Sequence, residues 1–323
     1  MLPALLRRLL GAGAVLLGIS VLVFLLFFAT PGADPAARIA GRGASPETLA
    51  QVRREFGLDR PLPVQYFVLM RRLFVAQDLA SYVNPGLQVV PAVLRAAPVS
   101  LSLVAGAAVL WVAGGVGLGL LAASARSRVV DRAVLGFGLL GASVPPFWLG
   151  EVVNLVTQSR LHATWLFAWV PPLGYVPLRD DPVGWFKALA IPWVTLASLY
   201  AGLYGRVLRA GLAEAYREDY VRTARAKGLS ERRVLLVHAF RPALVAFVSL
   251  FGLDFGALVG GGALLTEVVF GLRGVGKLTY DAMRSLDLPV IMATVLYAAF
   301  FVVLANLVVD LVYALLDPRV RAP

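Results

Sequence analysis

Apolar residues in this chain fall into long uninterrupted runs rather than at a helical or strand period. The first run covers about residues 9 to 30, behind Arg7 and Arg8 and ahead of Pro31 and Gly32. At ~1.5 Å per residue such a run crosses a hydrocarbon core of ~30 Å as a helix. It exceeds the ~7–15-residue core of a cleavable signal, so an uncleaved anchor is expected. Further runs cover about Val99 to Ala123, Ala133 to Val156, Phe186 to Leu208, Ala243 to Leu265 and Val290 to Tyr313, which makes six spans. Pro145 and Pro146 lie inside the third and are expected to bend or break it, because a proline removes a backbone donor and clashes with the preceding turn. Such a break is tolerable only where neighbouring helices or water satisfy the freed carbonyls.

Between the first two spans, residues 33–98 turn polar. Ser45, Pro46 and Glu47 supply the cap, first-turn proline and first-turn acid of a helix that Gly57 ends. Leu49, Val52 and Phe56 share one face of it. Pro61 and Pro63 introduce a second amphipathic stretch holding Phe67, Met70 and Phe74. The segment reads as a small helical cap outside the membrane.

Composition agrees with lipid as the solvent: 59% of the residues are apolar and 15% charged, against about 25% charged in soluble domains. The formal charge of +11 does not point to nucleic acid, since the basic residues sit in short blocks beside the apolar runs, as the positive-inside rule expects. No cysteine is present, which removes disulfides, thiolate chemistry and Cys-ligated zinc. The loop at residues 124–132 carries Arg126, Arg128 and Arg132 against one acid, while residues 158–184 balance Arg160 and Arg179 with Asp180 and Asp181. Residues 206–241 carry nine Lys or Arg against four acids. Both basic loops are therefore expected in the cytoplasm, with both termini.

The most informative stretch is the polar segment between spans four and five. Tyr220, Val221, Ala224 and Lys227 would form a narrow stripe on one helix, with Arg222 and Arg225 around it. Gly228 is expected to break that helix. Ser230 then caps a second, beginning at Glu231 with Val234, Leu235 and His238 on one side, which runs into span five. A basic, solvated loop is the plain reading of charge alone, but Ala224, Ala226 and Gly228 cluster at the bend, where small side chains allow a partner surface to approach.

At DYVRTARAKGLSERRVLLVHAFRPAL, residues 219–244, the chain resembles the inner-membrane permeases of binding-protein-dependent ABC importers, in the dipeptide, oligopeptide and nickel branch. The broader family pattern has Glu-Ala-Ala where Arg222, Thr223 and Ala224 stand, and a Leu-Pro where Phe240 and Arg241 stand; both departures are usual for this branch. ASPETLAQVRREFGLDRPLPVQYF (44–67), LLTEVVFGLRGVGKL (264–278) and NLVVDLVYALLDPRVR (306–321) are similar to other stretches of the branch, although 77–80 lacks its glycines and Arg273 replaces a proline. The resemblance implies an all-α membrane protein: an N-terminal anchor (1–32), an extracytoplasmic helical segment (33–98), a five-helix permease core (99–313) with a coupling loop at 206–241, and a cytoplasmic tail (314–323). It implies a second homologous permease, two ATPase subunits that hold ATP and magnesium, and an extracytoplasmic solute-binding protein as partners, with no cofactor on this chain. Asp219, Tyr220, Val221, Arg222, Thr223, Ala224, Arg225, Ala226, Lys227 and Gly228 would couple to the ATPase, the basic groups by hydrogen bonds and Tyr220, Ala224 and Gly228 by packing. Cargo stays open among dipeptides, longer peptides, nickel chelates and sugars.

Glu151, Asn154, Asp254, Asn306 and Asp310 sit in or near the spans, where a polar group facing lipid is costly. They either line a path or tie helices together. Gly252, Gly256 and Gly260 recur at the small-xxx-small spacing that lets helices approach closely, toward a partner permease or toward a span of the same chain. Residues 271–277, GLRGVGK, match most of a phosphate-binding loop, but Leu278 stands where Ser or Thr must ligate magnesium. That match is expected to be false. His162 and His238 lie far apart with no nucleophile or acid pair beside them, so catalysis has no candidate residues. The alternative from another class, an ion- or proton-coupled secondary transporter using Glu151 or Asp254, would show inverted repeats with matched broken helices, and the two halves of the sequence do not.

Overall fold

A computed structural model describes residues 2–28, 36–37, 45–84, 86–124 and 128–316. The described residues are overwhelmingly helical, with one isolated bridge between Ala80 and Gln88 and no strand. α1 (Leu2–Phe28) is the expected anchor. α2 (Pro46–Phe56) opens with the Ser45 hydroxyl accepting from the Thr48 N–H at 3.2 Å. It closes on Gly57 at φ +65°, whose N–H returns to the carbonyls of Arg53 and Arg54. α3 (Leu62–Arg71) runs on into a wider turn through Ala76.

α4 begins at Val89 rather than Val99 and ends at Ser124. Its 36 residues make about 54 Å of helix, so it projects beyond the ~30 Å hydrocarbon core. Arg95 and the prolines at 91 and 98 interrupt the apolar sequence there, which placed its start too late in the sequence reading. Pro91 lies in its first turn, where no N–H is needed, and Pro98 is carried inside. The third apolar run is two helices, α5 (Arg128–Ser143) and α6 (Pro146–Thr157), of 16 and 12 residues. Neither alone reaches the ~20 residues a crossing needs; the proline pair breaks the run at residues 144–145, as expected from its chemistry. α7 (Pro182–Ala215) is capped by Asp181, whose carboxylate accepts from the Val183 N–H at 3.0 Å. α8 (Asp219–Ala226), α9 (Glu231–Gly262), α10 (Leu264–Val269), α11 (Val275–Ser285) and α12 (Leu288–Leu316) complete the order. Five helices are long and apolar enough to cross a membrane, namely α1, α4, α7, α9 and α12.

Their seams are made by small residues. A Cβ on Gly115 of α4 would stand 2.6 Å from the Tyr204 Cβ of α7, and one on Gly119 would stand 2.8 Å from the Leu208 Cβ. These pairs advance together, so α4 and α7 are parallel. On the other side Gly202 meets Gly138 of α5, where a Cβ on either would stand 2.7 Å from the other's backbone, and Gly141 meets Leu199. These pairs run in opposite order, so α5 is antiparallel to α7. Gly252, Gly256 and Gly260 of α9 face Val309, Ala305 and Ala298 of α12, also antiparallel. The small-residue stripe of span five therefore packs on a span of its own chain. Trp111, Tyr204 and Leu208 lie fully buried in the core between α4, α7 and α9.

These directions place α8 at one face of the bundle and residues 158–181 with α10 and α11 at the opposite face. A second apolar cluster holds α1, α3, the start of α4, α11 and α12 together at that opposite face through Phe24, Leu69, Val93 and Ile291. The Tyr66 hydroxyl of α3 bonds Ser20 of α1 at 2.7 Å, and Ser20 lies about 12 Å of helix rise short of Phe28. α3 thus lies beside the spanning part of α1, with Phe67 69% and Phe74 61% exposed. The segment thus packs on α1 and α12 rather than forming a separate body. Asp287, buried at the start of α12, accepts from the Ser81 hydroxyl and from the Tyr82 N–H, fastening the segment before α4.

Gly115→Leu is expected to destabilise the chain by about 1–3 kcal/mol through overpacking. Gly117→Leu, whose Cβ meets nothing within 4 Å, should leave the melting temperature of the solubilised protein unchanged. Equal melting of the two variants contradicts the α4–α7 seam.

Candidate functional site

α8 hangs between α7 and α9 as a two-helix knob. Its buried face is small: Val221 and Ala224 turn inward onto Val234 at the start of α9, flanked by Tyr216 and Leu229. Gly228 sits at φ +78°, its N–H bonded to the Arg225 carbonyl at 2.9 Å. A left-handed residue here costs a non-glycine about 1–2 kcal/mol, so the expected break is where glycine permits it. Across the bend Arg225 grips Glu231 with two bonds, Nε to Oε1 at 2.8 Å and Nη2 to Oε2 at 3.1 Å, and its guanidinium lies over the Tyr216 ring. The bond to Arg225 holds the Glu231 carboxyl below its ordinary range.

Several site residues stand differently from the sequence reading. Of the expected stripe only Val221 and Ala224 turn inward; Tyr220 is 43% exposed and Lys227 is exposed. Ala224 is buried inside the knob, and Arg225 is paired with Glu231 while remaining exposed. Ser230 occupies the cap position, but its side chain makes no cap bond. Arg222 pairs with Asp219 at 3.2 Å, both well exposed, an interaction worth about 0–1 kcal/mol. The Thr223 hydroxyl bonds the Asp219 carbonyl. The outward face thus presents Tyr220, Arg222, Ala226 and Lys227.

The polar residues of the spans do not converge. Asp254 of α9 accepts from the Tyr204 hydroxyl of α7 at 2.8 Å, and Asn154 of α6 donates to the Val269 carbonyl of α10 at 2.9 Å. Both tie helices together. Glu151 is exposed on α6 in line with Trp148 and Leu155, and Asn306 is exposed on α12. The side chain of Asp310 lies outside the described residues.

Sequence reasoning missed Glu267. It is fully buried in α10, and its carboxylate accepts from the Ser100 hydroxyl of α4 at 2.5 Å and from the N–H groups of Gly276 and Lys277 at the start of α11. Ser100 in turn accepts from the Val275 N–H at 2.8 Å. The first N–H groups of α11 are therefore satisfied by an anion from within the chain, the role helix N-termini play toward phosphates. A Cβ on Gly274 would stand 2.5 Å from that carboxylate. The glycines at 271–276 that imitate a phosphate loop make room for Glu267, while the Lys277 ammonium turns away to Asp281 at 2.6 Å. A carboxylate seven residues before a glycine-rich helix start was the available signal.

Burial pushes the Glu267 carboxyl up to about 7 against the lowering effect of its hydrogen bonds. A carboxyl raised from an ordinary 4.5 contributes stability that is complete below that value and fades as pH rises through about 7. The melting temperature should therefore fall between pH 5 and pH 8 by a component that Glu267→Gln removes. Glu267→Ala, which strands buried donors, should cost at least about 1–3 kcal/mol at neutral pH. A Glu267→Ala protein that melts like the native one contradicts this assignment.

Comparison with known proteins follows the same outline. The family described as "Binding-protein-dependent transport system inner membrane component" matches residues 115–322, and its companion N-terminal family matches residues 1–94. A Brucella abortus (strain 2308) protein named as a peptide transport system permease is 39% identical over 321 residues, covering 99% of each chain. A Sinorhizobium fredii protein named as a peptide ABC transporter permease is 37% identical, covering 98% of each. The glutathione transport system permease protein of Salmonella choleraesuis is 35% identical, covering 99% of each. With the broken third run, the α8 knob and a match along nearly its whole length, the chain belongs to the binding-protein-dependent transport system inner membrane components.

Proposed function

We propose that this chain forms one half of the transmembrane pathway of an ATP-driven importer for peptides, and that the α8 knob is where an ATPase subunit engages it. Family membership and relatives named for peptides and glutathione support the cargo class. One observation carries the coupling role: a short bent helix joins α7 to α9 and shows its partner side Tyr220, Arg222, the small Ala226 and Lys227. The basic loops lie at this face, so the positive-inside rule puts it in the cytoplasm together with both termini. The opposite face, with α2, α10 and α11, then meets the solute-binding protein.

The knob is joined stiffly to what it would move. Arg225 and Glu231 pair across its bend, and Gly211 of α7 lies against Ala243 of α9 beside it, where a Cβ would stand 3.1 Å from the Ala243 Cβ. A displacement imposed on α8 is thus delivered to both α7, which holds α4 and α5, and α9, which holds α12. Rigid-body rocking of such packed helices is the ordinary route to alternating access. ATP and magnesium belong to the ATPase partners in this reading. Occupation of the phosphate-loop-like segment at 271–277 by Glu267 supports that division. The second permease and the paired ATPases follow from the same reading, with Glu151, exposed on an otherwise apolar face of α6, as the pathway candidate that the bundle leaves unused. No observation favours ion coupling: the Asp254 carboxylate is engaged by Tyr204.

Ala226→Trp adds bulk to the exposed face of α8 and leaves the Val221, Ala224 and Val234 contact intact. The variant is expected to melt like the native chain in isolation, yet to lose peptide uptake and the stimulation of ATP hydrolysis by the binding protein. Full uptake with Ala226→Trp in place would overturn the docking assignment.

A further inference from the structure

α6 turns one side to the bundle and leaves the other open. Gly150 lies against Phe270 and Val269 of α10, and Asn154 and Thr157 are buried on the same side. On the open side Trp148 is 55% and Leu155 65% exposed, and Glu151 is exposed between them, at helical spacings of three and four. The Glu151 carboxylate makes no hydrogen bond or ion pair among the described residues. It stands about 9 Å of helix rise short of Thr157, where the chain reaches the face opposite α8, so it lies at membrane depth. A carboxylate facing lipid there is costly. Water or a cation must reach it.

The break that precedes α6 is open as well. Pro145 and Pro146 carry no N–H, so the carbonyls of Gly141 and Ala142, four residues earlier, lose their helical donors. These carbonyls stand at the C-terminal, negative end of the α5 dipole, and Ser143 and Pro145 beside them are exposed. Irregular backbone at membrane depth is tolerated only where it is buried in protein or lines water. Open carbonyls, an unpaired carboxylate and an exposed indole ring each attract a cation. A peptide crossing the membrane brings one whatever its side chains, the ammonium of its amino terminus.

We propose that Glu151 is a cargo contact in the translocation path, where its carboxylate and the Trp148 ring receive the α-ammonium of a passing peptide. This deepens the peptide-importer reading and rests on it. A charged amino terminus is common to peptides of any sequence, so one carboxylate favours them over neutral solutes without selecting among side chains. A single ion pair in a wet site is weak, as a path requires: cargo must bind well enough to enter and poorly enough to leave.

Because the chain has no cysteine, Glu151→Cys and Trp148→Cys each place a single thiol on it. In the intact importer, held in nanodiscs and hydrolysing ATP, both thiols are expected to react with charged methanethiosulfonate reagents from water. The Trp148→Cys thiol should favour the cationic reagent over the anionic one. Adding Glu151→Gln should lower that preference roughly fivefold, the effect of one charge a few ångströms away in a wet site. In liposomes, with the binding protein equally loaded, Glu151→Gln should slow uptake of a peptide with a free amino terminus by a similar factor, with little slowing of its N-acetylated form. Glu151→Asp should restore most of the rate. A Glu151→Cys thiol that neither reagent reaches lies against lipid or protein and overturns the site. So does an unchanged reagent preference, or equal slowing of the free and acetylated peptides. ATP-driven uptake by the native chain, measured alongside, tests the importer reading by itself: native uptake that Glu151→Gln does not alter sinks the contact and leaves that reading standing.

Discussion

Close backbone contact along α7 is the constraint on which the bundle depends. In lipid the hydrophobic effect does not drive helices together, so association rests on dispersion and on hydrogen bonds between helices. Dispersion falls steeply with distance, and only small residues let two backbones come near enough to use it. Gly115 and Gly119 of α4 and Gly138 and Gly141 of α5 all bring their backbones onto the same helix. α7 is thereby gripped on two sides, and it is also the helix that leads directly into α8. The element most tightly held is the one through which motion would enter.

The second constraint is the absence of water. Every polar group inside the bundle needs a partner supplied by the chain. Asp254 finds Tyr204, Asn154 finds the carbonyl of Val269, and Glu267 finds Ser100 and the start of α11. The last arrangement matters most because it joins three elements distant in sequence. It holds α10 and α11, the short helices that return the chain from α9 to α12, against the start of α4. Asp287 repeats the device a little further on, with Ser81 and Tyr82 as its donors. The face opposite α8 is therefore organised by two buried carboxylates, while the α8 face is organised by an exposed ion pair and a glycine bend. The one face is thus held by buried polar contacts and the other protrudes.

Much of this was legible in the residues. Run length gave the spans, because partition into lipid depends on composition over ~20 residues and little else. Pro145 and Pro146 gave the break between α5 and α6, and Ser45 with Gly57 gave both ends of α2, because caps and prolines act on the backbone within a turn. Gly228 gave the bend of the knob for the same reason. The start of α4 at Val89 was not legible, since Pro91, Arg95 and Pro98 interrupt the apolar residues ahead of Val99. Nor was the inward turn of Ala224, which a stripe of four residues could not separate from the outward turn of Tyr220.

The sequence by itself determined the local backbone and the solvent of each segment, and through them an all-helical membrane chain with a knob between its fourth and fifth spans. Only the tertiary structure decided which surface each face would meet. The stripe at Gly252, Gly256 and Gly260 announced a close contact but not that α12 would supply it. The glycine-rich loop at 271–277 read as a false phosphate-loop match, and only packing brought the Glu267 carboxylate to the helix start that follows it. Ser100 and Glu267 stand 167 positions apart; no periodicity within a helix reports on a partner that far along the chain, because the encounter is set by how the intervening helices pack.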